Sequence, residues 1–380
     1  MRRRVDECLS TMRKEWMQSN DVALIQSFPR LEEGVWTETG AERVSYVQLY
    51  QWHQELLGVL KDKEKEEQER TVVVGINLTP FSMEETAMML LVAEQRRWIY
   101  VALDVQLPVA RQLALLQSSE AQCLVTTVDS PLATYLVDKA GEAVKMEIVD
   151  DEMSPFLPVQ VGTPLSTFFS TGLEEAACDT DCRQRYDQSI DAPMYILFTS
   201  GTTGKAKRVL GSRRGAWTRL VWMWNMYPFA TLKDGKSSER VLRATRLSFV
   251  DSVWEILGAF LQRVPLVHVQ PPRHQGEGIR HCSTTSVVLD DSTRFLKVIQ
   301  REHVTRFTAV PSVLDVFLLQ TTEIERKSCL AGLRYVLSSG ESLPFQVLRR
   351  LTASSPSVTI LNLYGKFFAY LLQSTTWSHY

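Results

Sequence analysis

The sequence predicts a layered α/β protein built on parallel sheets, from two observations. Short β-branched runs alternate with helical stretches from residue 71 onward, beginning Thr71-Val-Val-Val-Gly-Ile76, then Ser82 to Ala93, then Ile99-Tyr-Val-Ala-Leu103. The spacing between consecutive runs leaves room for a crossover of a dozen or more residues, which a parallel neighbour requires. No repeat at a solenoid period competes with this reading.

Composition narrows the class. The chain has 380 residues, 42 Lys+Arg against 44 Asp+Glu and a formal charge of −2, so it lacks the strongly basic balance of a nucleic-acid binder. Six Cys are too sparse for a disulfide scaffold and fit a reducing compartment. The longest apolar stretch, around Met88 to Ala93, falls far short of the roughly 20 residues of a membrane span. Met1-Arg-Arg-Arg-Val-Asp6 has charge but no apolar core behind it, unlike a secretory signal. The expectation is a cytoplasmic globular protein of enzyme size, with no nucleic-acid partner and no membrane span.

Each element then has its own signal. Residues 1–40 read as a polar lead-in. Ser45 and Gln48 have capping-box spacing, and Tyr46, Leu49, Leu56, Leu57 and Leu60 place a helix over 45–60. The charged run Lys61 to Arg70 reads as a solvated helix end and linker. Ser82 and Glu85 cap the helix running to Ala93; a helix over 109–117 and a strand over 122–127 complete the first alternation. Residues 128–192 break the rhythm with acidic clusters and prolines and read as a surface insertion; Cys178 and Cys182 lack a second ligand pair for zinc. Strands follow at 194–198, 241–244, 265–269, 306–310, 334–338 and 358–363, with helices at 214–226, 252–263, 292–303, 312–320 and 344–352.

One segment carries chemistry. Tyr195-Ile-Leu-Phe-Thr199-Ser200-Gly201-Thr202-Thr203-Gly204-Lys205-Ala-Lys207 runs from a buried strand into a hydroxyl-rich loop with two glycines, then into cationic side chains. Glycines let the backbone turn and aim N–H groups at an anion, the hydroxyls add donors, and the two lysines add charge. The composition fits a phosphate cradle better than a turn that merely joins two elements. It is not a P-loop, because Thr199 stands where the first glycine belongs and Ala206 follows Lys205. No Gly-x-Gly-x-x-Gly sits at a strand-to-helix turn, so a dinucleotide fold has no support.

Phe198-Thr-Ser-Gly-Thr-Thr-Gly-Lys-Ala-Lys207 resembles the phosphate loop of the adenylate-forming superfamily: acyl-CoA synthetases, peptide-synthetase adenylation domains and luciferases. Other segments resemble that family in the same order. These are Val44-Ser-Tyr-Val-Gln-Leu49, Trp98-Ile-Tyr-Val-Ala-Leu-Asp104 with Arg111, Leu247-Ser-Phe249-Val-Asp251-Ser-Val-Trp254-Glu255, Leu337-Ser-Ser-Gly340-Glu341-Ser342 and Asn362-Leu-Tyr364-Gly365. The context around Val209 and Trp222 is similar to the acyl-activating or β-alanine-activating (aminoadipate-semialdehyde dehydrogenase-like) branch.

The resemblance implies the family's large N-terminal domain, with layered αβαβα sheets, over 41–365. It also implies ATP-dependent formation of an acyl adenylate from a fatty, aryl or amino acid with release of pyrophosphate, and transfer to a coenzyme A or carrier-protein thiol. Thr199, Ser200, Gly201, Thr202, Thr203, Gly204, Lys205 and Lys207 would then hold the phosphates, Thr199 and Lys207 acting in catalysis. Gly340, Glu341 and Ser342 would border adenine, with Asn362, Tyr364 and Gly365 beside it. Phe249, Asp251 and Trp254 would wall the acid pocket, although Trp254 reads equally as a core aromatic.

Three departures qualify the resemblance. Phe368 stands where the family places the glutamate that binds Mg²⁺, so no metal ligand is expected from this chain. The family's later motifs and its small C-terminal domain lie beyond Tyr380, so a fold incomplete at the C-terminus is expected, with 366–380 a tail outside the family pattern. Val250 replaces the aspartate that follows the phenylalanine in amino-acid-activating relatives, and Asp251, one step on, reads as an N-cap for helix 252–263. Two functions stay open: a ligase-type enzyme, or a catalytically inactive nucleotide-binding or interaction protein of the same family.

Overall fold

A computed structural model of the chain describes residues 2–15, 19–27, 30–32, 35–37, 41–66, 71–127, 130–140, 144–146, 149–151, 154–161, 191–199, 207–232, 236–269, 292–363 and 374–377. Helix α1 (Arg2–Glu15), strand β1 (Val22–Ser27), the pair β2 (Arg30–Glu32) and β3 (Val35–Thr37), β4 (Ala41–Ser45) and α2 (Tyr46–Glu66) come first. The alternation follows as β5 (Val72–Asn77), α3 (Met83–Glu94), β6 (Trp98–Ala102), α4 (Val109–Ser119), β7 (Cys123–Thr127) and α5 (Pro131–Ala140). Strands β8 (Val144–Met146), β9 (Val149–Asp151), β10 (Ser154–Val161), β11 (Pro193–Thr199) and β12 (Lys207–Ser212) lead to α6 (Arg213–Met226).

The second half holds β13 (Val241–Arg243), α7 (Asp251–Val253, continued by a π-helical turn Trp254–Gly258) and β14 (Leu266–Val269). Then come α8 (Ser292–Arg301), β15 (Arg306–Ala309), α9 (Pro311–Gln320), α10 (Glu323–Cys329), β16 (Tyr335–Ser339), α11 (Phe345–Ser354), β17 (Thr359–Leu363) and β18 (Ser374–Trp377).

The strands form two large sheets. One runs β12-β11-β6-β5-β7-β10-β8, with β9 on β10, and is parallel from β11 to β7. The other runs β18-β17-β16-β15-β13-β14-β1-β4 and is parallel from β17 to β1, with antiparallel strands at both edges. Parallel strands are covered on both faces, which is why they read as continuous apolar runs. Within β5, Val74 and Ile76 face the core between the sheets, while Val73 faces the outer layer with Leu116 and Leu132. Within β16, Leu337 faces inward and Val336 outward against Phe307 and Phe317. Helix α3 fills the space between the sheets and is buried from Glu85 to Ala93, as an all-round apolar helix must be. The result is the expected αβαβα layering.

The structure corrects the sequence reading at several places. The 1–40 segment is no mere lead-in. Its strand β1 pairs in parallel with β14, and Ala23, Leu24 and Ile25 are buried; the run is short and lies outside the main alternation, so no pattern marked it. The 128–192 break contains α5, whose Leu132, Ala133 and Leu136 are buried, and β10, which extends the first sheet antiparallel to β7. Cys178 and Cys182 lie outside the described residues. Helix α2 runs on to Glu66 through charged residues read as its solvated end.

Capping behaves as expected: Gln48 N–H donates to Ser45 Oγ at 3.3 Å, and Glu85 N–H to Ser82 Oγ at 3.2 Å. Helix α10 also has a full capping box between Thr322 and Glu325, a signal legible in the sequence on a helix too short for periodicity.

Arg306 anchors the amino-terminal ends of the second sheet. It is 1% exposed and donates to Glu239 Oε2 at 2.5 Å, Tyr227 O at 2.6 Å and Pro228 O at 2.7 Å, and its guanidinium lies 4.3 Å from the Tyr335 ring centre. Burial pushes the Glu239 carboxyl up, but the Arg306 bond and charge outweigh it and hold the group below the ordinary carboxylate value. Arg306→Leu leaves the buried Glu239 carboxylate with Arg334, itself 43% exposed, as its remaining cation, and is expected to cost about 3 kcal/mol in a urea unfolding measurement. Because Glu239 is depressed in the fold, this stabilisation is present above pH 4.5 and lost as pH falls through the lower folded value; a wild-type/variant difference independent of acid pH would contradict the assignment.

Candidate functional site

The carboxyl ends of β6 and β13, one strand from each sheet, come together, on the side where ligands usually bind in such sheets. Arg246, after β13, is paired with Asp104, after β6, and donates to Gln106 Oε1 at 2.6 Å. One step deeper, Arg243 at the end of β13 is 0% exposed and paired with Glu85 of α3. Glu85 also accepts from Phe81 N–H at 2.8 Å, and His268 Nδ1 donates to Phe81 O. Phe81 is a buried, bulky residue with φ of +62°, so its strained peptide is gripped from both sides. Burial, reinforced by Arg243, holds the His268 pKa well below its ordinary value, leaving a neutral ring whose Nε2 is an acceptor.

The phosphate-loop candidates are flanked by two paired strands. Thr199 and Lys207 are register partners on antiparallel β11 and β12, so the chain between them closes back on itself at a strand end. A P-loop opens into a helix; this loop opens into a strand, which agrees with the spacing argument. Thr199 is half-buried and Lys207 exposed; Ser200, Gly201, Thr202, Thr203, Gly204 and Lys205 lie outside the described residues. Below the loop, Gly211 faces Tyr195, and a Cβ there would sit 1.8 Å from the ring, so only glycine lets that ring cross β12.

The adenine-side candidates follow β16. Gly340 turns the chain with φ of +84°, and a Cβ on it would lie 3.3 Å from Val310. The Glu341 carboxylate accepts from Ser312 N–H at 3.1 Å and from Ser312 Oγ at 3.0 Å, so it caps the amino end of α9. Its role here is to strut the loop, a job the sequence did not disclose. Ser342 is exposed. Asn362 lies on β17 beside Ser338, its Oδ1 without a hydrogen-bond partner; Tyr364, Gly365 and Phe368 lie outside the described residues.

The acid-pocket candidates separate. Phe249 is 62% exposed in the turn before α7, and Trp254 is 3% exposed within the inner core. Asp251 is not an N-cap. The helix begins at Asp251 itself, Val250 takes the cap position without a side-chain bond, and the Asp251 carboxylate accepts instead from Ser339 Oγ. The π-helical turn that replaces a regular helix after Val253 brings Glu255 back under β13. Glu255 accepts from Ala244 N–H at 3.2 Å, Thr245 N–H at 3.0 Å and Thr245 Oγ1 at 2.8 Å. Burial pushes its pKa up to about 7 despite these bonds, with Asp251 adding to the rise. Sequence reading quoted Glu255, Tyr100 and Ser339 within motifs and gave them no role; Arg243 and His268 were missed because nothing local marks them.

The family model for AMP-binding enzyme matches residues 17–366. Enterobactin synthase component F of Escherichia coli (strain K12) is 32% identical over 172 residues, 45% of this chain and 12% of that protein's length. The chain thus spans a small part of such relatives. Among solved structures, IdnL1 superposes with a TM-score of 0.67 at 17% identity, covering 98% of this chain and 62% of that one. The AMPPNP-bound form of the nonribosomal peptide synthetase FmoA3 does so at 0.60 and 18%, covering 95% and 31%. At such identities these structures establish the fold. The chain belongs to the AMP-binding enzyme family. Among the described residues no helix is long and apolar enough to cross a membrane, and no cluster of three His, Cys, Asp or Glu could hold a metal.

Two outcomes follow from the geometry. Gly340→Ala is expected to lose about 1–2 kcal/mol in thermal or urea unfolding, since alanine pays for left-handed backbone; an unchanged midpoint would remove the strain argument. Glu255 binds its proton more tightly folded than unfolded, so its contribution is full below pH 4.5 and is lost as pH rises through about 7. Glu255→Gln should therefore flatten the fall in stability across that window, by about 3 kcal/mol; parallel stability–pH curves would show that Glu255 does not titrate there.

Proposed function

We propose that the chain binds ATP along a crevice at these strand ends and activates a carboxylic acid as its acyl adenylate. An acid oxygen attacks the α-phosphorus, the bond from α-phosphorus to the bridging oxygen breaks, and pyrophosphate leaves. The observation that carries this reading is the hairpin whose two ends, Thr199 and Lys207, stand opposite each other and close the hydroxyl- and glycine-rich segment 200–206 between them. Negative charge collects on the departing pyrophosphate, and donors fixed in advance stabilise it without reorganising. Thr199, Ser200, Thr202 and Thr203 supply hydroxyls; Lys207, with Lys205 beside it, supplies charge. Family membership supports nucleotide binding, and the AMPPNP complex of FmoA3 supports ATP as the nucleotide.

The remaining candidates take supporting parts. Gly340 and Ser342 border the adenine, Glu341 holds that loop against α9, and Asn362, Tyr364 and Gly365 complete the side beyond β17. Phe249 forms the mouth of the acid pocket and Asp251 its wall, tied to the adenine loop through Ser339. The acceptor of the acyl group is a thiol, on a carrier protein or on coenzyme A. Magnesium does not fit the residue at the family's ligand position, because the phenyl ring of Phe368 offers no oxygen. That same residue favours a second reading, nucleotide binding with little or no turnover.

Lys207→Ala tests the cradle directly. It is expected to weaken ATP binding about tenfold or more by isothermal titration, since one charge-assisted contact to phosphate is worth on the order of 1.5–3 kcal/mol. Equal ATP affinity in the variant and the parent would contradict it. Pyrophosphate exchange with a panel of acids separates the two readings: exchange identifies a ligase, and ATP binding without exchange identifies a binder.

A further inference from the structure

The inner face of the second sheet carries a polar row where an apolar one would pack. Strand register aligns Gln26, His268 and Arg243 across β1, β14 and β13, and pairs Val241 with Arg306, which carries the row to Thr308 on β15. All four side chains are buried, at 9%, 0%, 0% and 3% exposure. Alternation puts them on the face of Leu24, Leu266 and Val241, which line the core between the sheets.

This row is open in its hydrogen bonding. Arg243 spends Nη2 on Glu85 but has no partner for Nε or Nη1, and His268 Nε2 and Thr308 Oγ1 have none. In the facing sheet, on β6, the fully buried hydroxyl of Tyr100 lies in the field of Arg243 and beside Ser252. The chain does close such networks elsewhere. Buried Asn77 donates to Gln112 at 2.9 Å and accepts from Thr126 at 3.0 Å and Ser130 at 2.6 Å, and Arg306 uses every nitrogen. An unmatched buried donor or acceptor costs about 1–3 kcal/mol, so several together point to a group that completes them.

The row is contiguous with the acid-pocket candidates. Tyr100 packs against Tyr195 at 5.9 Å between ring centres, and Tyr195 lies in the field of Asp251. The buried indole N–H of Trp254, on the α7 segment that also carries Glu255, is unpaired as well. Glu85 already pairs with the single guanidinium of Arg243, and Glu255 lies in the field of the same group, so there is no spare positive charge for a second carboxylate. A hydroxyl can accept from Arg243 and donate to His268 Nε2, matching both kinds of open site at once.

Building on the adenylation reading, we propose that the acid pocket ends in a hydrogen-bonding floor of Arg243, His268, Thr308 and Tyr100, and that it takes a carboxylic acid bearing a hydroxyl at its far end. A floor of this kind rejects the analogue without the hydroxyl, because the buried groups then stay unpaired.

The intact chain is titrated calorimetrically with matched acids: butyrate, 4-hydroxybutyrate, 4-aminobutyrate and succinate, and phenylacetate against 4-hydroxyphenylacetate. At least one hydroxy acid is expected to bind about tenfold or more tighter than its hydrocarbon counterpart. Thr308→Val and Tyr100→Phe keep side-chain shape, and one or both should cut that preference at least about threefold while leaving the hydrocarbon acid unchanged. Arg243 is left intact, since its loss strands Glu85. Equal or tighter binding of the hydrocarbon, amino or dicarboxylic member overturns the proposal, as does a preference untouched by both variants. Flat isotherms for every acid mean that the floor holds only water, and overturn it too. ATP is titrated separately: ATP binding without hydroxyl preference sinks this proposal alone, and hydroxyl preference without ATP binding sinks the adenylation reading alone.

Discussion

The ion pair of Arg243 with Glu85 is the constraint on which the crevice depends. It joins the end of a strand in one sheet to the helix that packs beneath the other, with both side chains buried. Breaking such a pair by removing one member leaves an uncompensated charge, at about 3–5 kcal/mol, so the two sheets are held at a fixed spacing where their strands end. Phe81 is locked in a left-handed conformation beside it, gripped by Glu85 and His268. Arg246 with Asp104 repeats the connection nearer the surface. Rigid spacing at this edge lets loops from both sheets address one ligand.

Three of those loops are coupled to one another through side chains. Glu255 holds the backbone after β13, Asp251 at the start of α7 is bonded to Ser339, and Ser339 precedes the Gly340–Glu341 turn that Ser312 fixes. The proposed acid wall and the proposed adenine border therefore share a scaffold. The β11–β12 hairpin stands apart, attached through strand register rather than through this network. That division suits a reaction in which the phosphates leave and the acyl adenylate stays.

Much of the fold was legible because parallel strands declare themselves as β-branched runs at crossover spacing. The inner alternation from Val72 to Thr127, and the strands from Val241 to Leu363, fell where such runs stand. The elements that escaped had weaker local signals. Strand β1 is a lone short run far from its partner β14, and β12 follows a glycine-rich loop that masks its pattern. The helix starts one residue earlier than read, at Asp251 with Val250 in the cap position, so the N-cap reading of Asp251 failed. Chemistry followed the same rule. The hydroxyl- and lysine-bearing hairpin was visible as a contiguous motif, whereas Arg243, His268, Thr308 and Tyr100 come from four separate strands and only the folded register assembles them.

The central claim is that one hairpin and one turn, on different sheets, receive the same nucleotide. Hydrogen–deuterium exchange of the intact chain with and without ATP tests it most directly. Slowed exchange confined to the β11–β12 hairpin around Thr199 and Lys207 and to the turn around Gly340–Ser342 is the predicted result. Slowing at neither place, or only at the amino ends of the strands near Arg306, would contradict it.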